Sequence, residues 1–182
     1  LESIDISITS DTIYGLLGPN GAGKTSLFSI LAGLSKPSEG EVLYDSKIVN
    51  NLSFEKRSEL GVIYLPQEPS VFRELTVEEN IKAALEAKKY DKKEIENKLT
   101  IISEEFDLMS IKTQKCNTLS GGQRRRVEIA RAIALNPKLI LLDEPFAGID
   151  PLIINEIKTL IKNLKEKGIG VLISDHNVNA TL

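Results

Sequence analysis

The chain has 182 residues, of which 41% are hydrophobic and 27% are charged, and its formal net charge at pH 7 is −3. This composition is ordinary for a globular domain with a hydrophobic core, and it excludes a chain-wide basic surface for nucleic acid. The single cysteine, Cys116, excludes an internal disulfide and is expected to be an inert thiol. No signal peptide and no membrane-spanning apolar run is evident, so we expect a soluble protein.

The first third of the chain has the pattern of strands alternating with a helix. A helix is predicted over Lys24–Leu34, and Gly33 and Pro37 help to end it. Alternating or continuous apolar residues predict strands over Ile4–Ile8, Ile13–Leu17, Glu41–Tyr44 and Gly61–Leu65.

The middle of the chain, from about Glu68 to Val127, is charged and has a helical pattern. Thr76 with Glu79, and Asp91 with Glu94, have the spacing of capping boxes, in which a side chain and a backbone N–H satisfy each other at a helix start. No strand pattern interrupts this stretch. We therefore predict an inserted, all-helical subdomain over about 68–127.

Strands and helices alternate again in the last third. Leu139–Leu142 is wholly apolar, as is typical of a strand buried on both faces of a parallel sheet, and Gly170–Ile173 is a shorter example. Asp150 is placed to cap a helix that has Pro151 at its first position. The alternation predicts an α/β fold with a parallel sheet covered by helices, in which ligands bind beyond the carboxyl ends of the strands.

A phosphate-binding loop is predicted where the second strand meets the first helix. The segment Gly18–Thr25 fits G-x-x-x-x-G-K-[ST] between a strand and a helix, so backbone N–H groups and the helix N-terminus face one anion. Lys24 is expected to meet the outer phosphates, and the Thr25 hydroxyl to ligate Mg²⁺. The predicted binding residues are Pro19, Asn20, Gly21, Ala22, Gly23, Lys24, Thr25 and Ser26. A glycine-rich turn without ligand is the alternative.

Residues suited to hydrolysis follow the predicted strands. Asp143 and Glu144 end an apolar strand, where Asp143 is expected to hold Mg²⁺ and Glu144 to accept a proton from the attacking water. A solvated strand end is the alternative. His176, the only histidine, is predicted to hold the terminal phosphate and the water, although a lone histidine is often structural. The amide of Gln67 is a weaker candidate for contacting Mg²⁺ or water.

The motif LSGGQ predicts a second phosphate site at a helix start. Ser120 and Gln123 form a capping box, which alone would explain a plain helix start. Gly121 and Gly122 weaken the first turn and expose its backbone, and the close approach of a ligand would explain them. The basic run Arg124–Arg126 that follows is expected to be a solvated helix face.

Taken together, GPNGAGKTS, Gln67, LSGGQ, LILLDEP, Asp150 and His176 occur in the order found in ATP-binding-cassette (ABC) ATPases, and the chain resembles that family over nearly its whole length. The resemblance implies a P-loop NTPase fold with a mostly parallel sheet, an antiparallel β edge and a helical subdomain. It implies that ATP and Mg²⁺ bind, and that two copies pair head to tail. The terminal phosphate of one copy's ATP would then meet Ser120, Gly121, Gly122 and Gln123 of the other.

Within the family, the stretch YLPQEPSVFRELTVEEN resembles the ATPase subunits of lipopolysaccharide export transporters. That implies Mg²⁺-dependent ATP hydrolysis on the cytoplasmic face of the inner membrane, with two membrane permease subunits docking near Gln67–Arg73 and no nucleic-acid partner. Phe72 and Arg73 would contact the permeases, although packing and surface charge would also explain them. Gln123 departs from the glutamate of that subfamily. The alternatives are another ABC transporter ATPase, such as that of a branched-chain amino-acid importer, and a cytosolic ABC ATPase without a permease.

Both ends of the chain are expected to be trimmed, because the sequence starts and stops inside predicted elements. By the same resemblance, the aromatic residue that stacks on adenine would lie before Leu1.

Overall fold

The computed structural model describes residues 4–175. The strands are β1 (Ile13–Leu17), β2 (Leu43–Tyr44), β3 (Lys47–Ile48), β4 (Val62–Leu65), β5 (Leu139–Asp143) and β6 (Gly170–Asp175). The helices are α1 (Lys24–Ala32), α2 (Phe54–Glu59), α3 (Val77–Ala87), α4 (Lys92–Glu105), α5 (Gly121–Ala134) and α6 (Pro151–Glu166). The chain forms two compact units, one comprising residues up to Tyr64, Pro137–Pro145 and residues from Leu164, the other Leu65–Asn136 and Phe146–Asn163.

The main sheet, in the first unit, has the strand order β1-β6-β5-β4. Strand β6 pairs in parallel with β1 and with β5, in a register that sets Leu17 beside Asp175 and Asp143 beside Ser174. The predicted parallel sheet is therefore confirmed. The carboxyl ends of these three strands meet at one edge of the sheet, and the glycine-rich loop and Glu144 directly follow two of them.

Helix α1 holds the glycine-rich loop against this sheet. Phe28 and Ala32 of α1 are buried in one apolar cluster with Val62, Leu141 and Leu172 of three strands. Strand β6 is buried along its whole length, as expected for a strand covered on both faces. Since α1 begins at the last residues of the loop, packing of the helix also fixes the loop beyond the strand ends.

The antiparallel pairing forms a separate hairpin rather than an edge of the main sheet. Strands β2 and β3 make a two-stranded sheet of their own. The two residues between them, Asp45 and Ser46, have φ values of +47° and +63°. Positive φ at both central positions is the signature of a type I′ turn, whose twist matches that of the flanking strands.

Predicted and observed strands differ by one or two residues at the ends of β4, β5 and β6, and by more at two places. Ile4–Ile8 is not a strand, and Ile4 and Ile6 are 44% and 45% exposed. Alternation predicts a strand only when a neighbour pairs with it, and no strand of the described residues pairs with this segment. The strand predicted over Glu41–Tyr44 is shorter, because only Leu43 and Tyr44 pair across the hairpin.

The second unit contains the helices α3, α4 and α5. Capping boxes begin α3 at Thr76 and α4 at Asp91, as predicted. Cys116 is fully buried, and burial raises the pKa of its thiol, which fits the expected inert side chain. The apolar faces of α3 and α4 are buried through Val77, Ile81, Leu85, Ile95, Leu99 and Ile102. Within residues 4–175, none of the helices is both long enough and apolar enough to cross a bilayer.

The basic run at the start of α5 is not the solvated face that the sequence suggested. Arg125 is only 6% exposed and pairs with Glu128, with 2.8 Å between its Nη1 and Oε2. Arg126 forms ion pairs with Asp107 and with Glu156. Glu128 lies one turn further along α5, whereas Asp107 follows α4 and Glu156 lies in α6. Arg126 therefore links α5 to two other segments of the second unit.

A buried arginine stabilises the end of α1. Arg57, in α2, is 1% exposed, and its guanidinium donates to the carbonyls of Ile30 and Leu31 and, at 2.8 Å, to that of Val49. Carbonyls in the last turn of a helix lack partners within the helix, so the guanidinium satisfies them. Gly33 caps α1 with φ +84°, and a Cβ there would lie 2.9 Å from Arg57 Nε, so glycine is needed for backbone and space alike.

We expect Arg57→Met to lower the free energy of unfolding by about 3 kcal/mol, because buried carbonyls lose charged donors. Lys56→Met is the matched control, because the neighbouring Lys56 side chain is 63% exposed. Its effect should stay within about 0.5 kcal/mol. Urea unfolding followed by circular dichroism measures both, and an Arg57→Met midpoint equal to that of the wild type would contradict the assigned role.

Candidate functional site

The glycine-rich loop connects β1 to α1, and two of its glycines have left-handed backbone conformations. Gly21 and Gly23 have φ values of +82° and +92°, which L-residues with side chains rarely adopt. Residues Pro19–Ala22 are exposed. An exposed loop of this shape, leading into a helix N-terminus, turns backbone N–H groups toward a common anion.

Lys24 lies within the curve of this loop. Its ammonium donates to the carbonyls of Gly18, at 2.7 Å, and Pro19, at 3.1 Å. The same nitrogen lies 3.9 Å from Oε1 of Glu144. The side chain is nearly buried, so these contacts hold one positive charge between the loop and the carboxylate that follows β5.

Thr25 and Ser26 follow in the first turn of α1, and both are exposed. Each offers a hydroxyl at the positive end of the helix. Together with Lys24, they place the donors that the sequence predicted for phosphates and Mg²⁺ on one helical turn next to the loop.

Asp143 ends β5 as a nearly inaccessible carboxylate. It is 1% exposed, and its oxygens accept hydrogen bonds from the Tyr64 hydroxyl, at 3.2 Å, and from the Ser174 hydroxyl. Burial, and then the charge of Asp143, raise the pKa of Tyr64 to about 12, so Tyr64 stays a protonated donor at neutral pH. Two neutral donors on the flanking strands thus stabilise the charge of Asp143.

Glu144 adopts an unusual backbone conformation directly after the strand. Its φ is +43°, in the left-handed region that costs energy for any residue with a Cβ. Its N–H donates to the carbonyl and to the hydroxyl of Ser174, each at 3.1 Å. Ser174 therefore holds both acidic residues, and the kink turns the Glu144 carboxylate toward Lys24.

The sequence interpretation missed the roles of Tyr64 and Ser174. A signal was present, because Ser174 stands in a strand that should neighbour Leu139–Asp143, with a polar side chain near the same strand end. In the parallel register Ser174 is the residue directly beside Asp143. Identifying that pair required the strand order, which the pattern alone does not provide.

Asp143 and Thr25 have donor atoms that fit Mg²⁺. No group of three or more His, Cys, Asp or Glu side chains within residues 4–175 is arranged to hold a metal ion alone. Mg²⁺ prefers oxygen ligands and is commonly held by one or two carboxylates together with the phosphates of a substrate. One buried carboxylate and one hydroxyl beside a phosphate loop match that preference.

Two further site residues, Gln67 and His176, were predicted from the sequence. Gln67 is exposed and lies two residues after β4, in the second unit. His176 lies outside the described residues. Their roles stay predictions from the sequence.

The LSGGQ segment begins α5 in the second unit. Ser120 caps the helix in a reciprocal box with Gln123, as predicted, and Ser120 and Gly121 are exposed. Gly122 is different, because it is buried and a Cβ there would lie 2.6 Å from Cγ2 of Ile153. Internal packing against Ile153 is therefore a reason for glycine at position 122 that the sequence did not reveal, and the predicted approach of a ligand to both glycines stays a prediction. The exposed N–H groups of the first turn still offer an anion site.

Comparison with known proteins agrees with the motif order. The profile of the ABC transporter family matches residues 1–147. The lipopolysaccharide export system ATP-binding protein LptB of Haemophilus influenzae is 47% identical over the whole chain, which covers 76% of that protein. LptB of Acidithiobacillus ferridurans is 44% identical with the same coverage.

Solved structures show the same fold. A dimeric structure of a post-hydrolysis state of the ATP-binding cassette MJ0796, bound to ADP and Pi, matches with a TM-score of 0.86 at 30% identity, covering 100% of this chain and 82% of that one. The P-loop fold with its parallel sheet is thereby confirmed. The chain belongs to the ABC transporter family as an ATP-binding cassette.

Proposed function

We propose that this chain is the ATP-hydrolysing subunit of an ABC transporter that exports lipopolysaccharide. The observation that carries the choice of transporter is its similarity, over its entire length, to ATP-binding proteins of lipopolysaccharide export. The group formed by Lys24, Asp143 and Glu144 supports the hydrolysis step.

ATP would bind with its phosphates in the glycine-rich loop. Backbone N–H groups of Gly21 and Gly23, the Lys24 ammonium and the Ser26 hydroxyl bind the phosphate oxygens. Thr25, Asp143 and Gln67 are the residues proposed to hold Mg²⁺, which supplies positive charge to the phosphates when bound. On binding, the Lys24 ammonium would replace its hydrogen bonds to the carbonyls of Gly18 and Pro19 with hydrogen bonds to phosphate oxygens. Hydrogen bonds to these charged oxygens are stronger.

Glu144 is the proposed general base. Its carboxylate accepts a proton as water attacks the terminal phosphorus, the bond from phosphorus to the bridging oxygen breaks, and ADP and phosphate leave. Lys24, whose ammonium nitrogen lies 3.9 Å from Oε1, places a positive charge beside that carboxylate. His176 is proposed to hold the terminal phosphate and the water.

A head-to-tail pair of copies would complete each site. Ser120, Gly121, Gly122 and Gln123 of one copy would bind the terminal phosphate of ATP held by the other. The exposed helix start at Ser120 and Gly121 supports this arrangement, because an accessible helix N-terminus attracts an anion. Asp150, which caps α6, belongs to the loop proposed to connect the two sites.

Two permease subunits would dock near Gln67–Arg73 and hold the chain at the cytoplasmic face of the inner membrane. Exposed Phe72 and Arg73 support this location, because aromatic and arginine side chains are common anchors of interfaces. Movement of the helical subdomain on closure of the dimer would then act on the permeases.

Glu144→Gln should lower ATP turnover by at least about 100-fold, because the amide accepts no proton. It should also accumulate an ATP-bound dimer, since release requires hydrolysis. Phosphate release and light scattering measure the two effects, and Glu59→Gln, at an exposed site, is the control. A Glu144→Gln variant that stays monomeric in saturating ATP would refute the paired site.

Ser120→Arg should abolish turnover while each chain still binds nucleotide. The larger side chain blocks the helix start that faces the other copy, and it leaves the glycine-rich loop of its own chain unchanged. Binding of a fluorescent ATP analogue and phosphate release separate the effects. Ser110→Arg, also at an exposed serine of the second unit, should change neither. Loss of nucleotide binding by Ser120→Arg would show that the division of roles is wrong.

Phe72→Ala should reduce copurification with the permease subunits by about tenfold, as expected for loss of an interface anchor. Ile101→Ala is the matched control, because Ile101 is similarly exposed on α4. Pull-down from membranes followed by mass spectrometry measures both and identifies the captured permeases. Undiminished copurification of Phe72→Ala would move the docking surface elsewhere.

A further inference from the structure

The segment Ser70–Leu75, named here the docking segment, has no regular secondary structure, yet its backbone groups are held in place. The carbonyl of Arg73 accepts from the N–H of Asn117 at 2.9 Å, and that of Leu75 accepts from the N–H of Cys116 at 3.0 Å. Val71 is buried beneath it. A loop held in this way presents its exposed side chains in one arrangement before any partner arrives.

Asn80 of α3 holds the middle of the docking segment. Its side chain is fully buried, and its amide oxygen accepts from the N–H of Phe72 at 2.9 Å while its amide nitrogen donates to the carbonyl of Phe72 at 3.0 Å. The same nitrogen also donates to the carbonyl of Thr76 and to Sγ of Cys116. Because the buried Asn80 side chain bonds to both backbone groups of Phe72, a change in the backbone torsions of Phe72 would break two hydrogen bonds.

Two charged residues of α5 hold the start of the docking segment. Oε1 of Glu128 accepts from the N–H of Ser70 at 2.7 Å, and Nη1 of Arg131 donates to the carbonyl of Ser70 at 2.6 Å. Glu128 is itself fixed by its buried pair with Arg125. Both backbone groups of Ser70 are thus bonded to charged side chains on one helix, and such hydrogen bonds are stronger than neutral ones.

Arg131 also lies over the exposed aromatic ring of the segment. Its guanidinium carbon is 4.5 Å from the centroid of the Phe72 ring, within the range of a cation–π contact. Phe72 remains 50% exposed, so Arg131 supports the ring without covering all of it. The ring therefore has a support that fixes its orientation and a free surface that a partner can contact.

We propose that Arg131, Asn80 and Glu128 are positioning residues that pre-form the docking segment and fix the Phe72 ring for binding of a membrane permease. This proposal rests on the proposed function, because it takes the permease as the partner. Its physical basis is that a pre-ordered side chain loses little conformational freedom on binding, so more of the contact energy appears as affinity.

A double-mutant cycle tests the proposal with the full chain and detergent-solubilised permease subunits. Arg131→Met should weaken permease binding about tenfold when Phe72 is present, and less than about twofold in a Phe72→Ala background, since Arg131 acts through the ring. A loss of general stability would lower affinity equally in both backgrounds. Arg126→Met is the control, because Arg126 lies on the same helix and pairs with Asp107 and Glu156 instead.

Hydrogen–deuterium exchange on the isolated subunit gives an independent readout. Amides of the docking segment should exchange at least about tenfold faster in Arg131→Met than in the wild type, while those of α4 are unchanged. If Arg131→Met does not fold, Arg131→Lys replaces it in both experiments, with an intermediate loss expected because one charge remains over the ring.

The results separate the two proposals. A wild-type subunit that binds no permease would refute the proposed partner. Hydrogen–deuterium exchange of the docking segment would then still show whether Arg131 orders it. A wild type that binds, together with equal Arg131→Met effects in the two Phe72 backgrounds or unchanged exchange of the segment, would overturn the positioning role.

Discussion

The buried carboxylate of Asp143 constrains much of the first unit. An ionised carboxylate removed from water is costly unless donors replace the lost solvent. Here the donors are hydroxyls of Tyr64 and Ser174, which lie on the two strands that flank β5. Both donors can reach Asp143 only because β4 and β6 are the neighbours of β5 in the sheet. Because Ser174 also binds the N–H of Glu144, the same strand pairing that stabilises one acidic residue orients the next one toward Lys24.

Local patterns predicted the parts of the fold that depend on neighbours in sequence. The bounds of β1 match those predicted, and the capping boxes at Thr76 and Asp91 form as their spacing indicates. The prediction over Ile4–Ile8 was wrong because a strand depends on a partner that alternation does not specify. The same distinction between local patterns and distant contacts applies to the candidate site. The glycine-rich loop and the two acids are readable motifs, whereas Tyr64 became recognisable only through its distant contact with Asp143.

Charged residues of α5 show why burial was harder to predict than helix formation. Three consecutive arginines indicate a solvated face when judged by composition, yet their partners come from several parts of the second unit. The helix has Ser120 at its cap and Arg131 near its other end, separated by about 16 Å at 1.5 Å per residue. A single helix thus joins the proposed phosphate contact at Ser120 to the docking segment, which Arg131 contacts.

The side chain of Ile153 fills the space beside Gly122 at the start of α5. The missing side chain at Gly122 leaves room for Ile153 of α6, in the stretch that follows Asp150. Sequence change at these two positions is therefore coupled by volume. If position 122 gains a methyl group, either position 153 must have a smaller side chain or the start of α6 must shift. A larger side chain at position 122 is therefore expected to be tolerated only together with a smaller one at position 153.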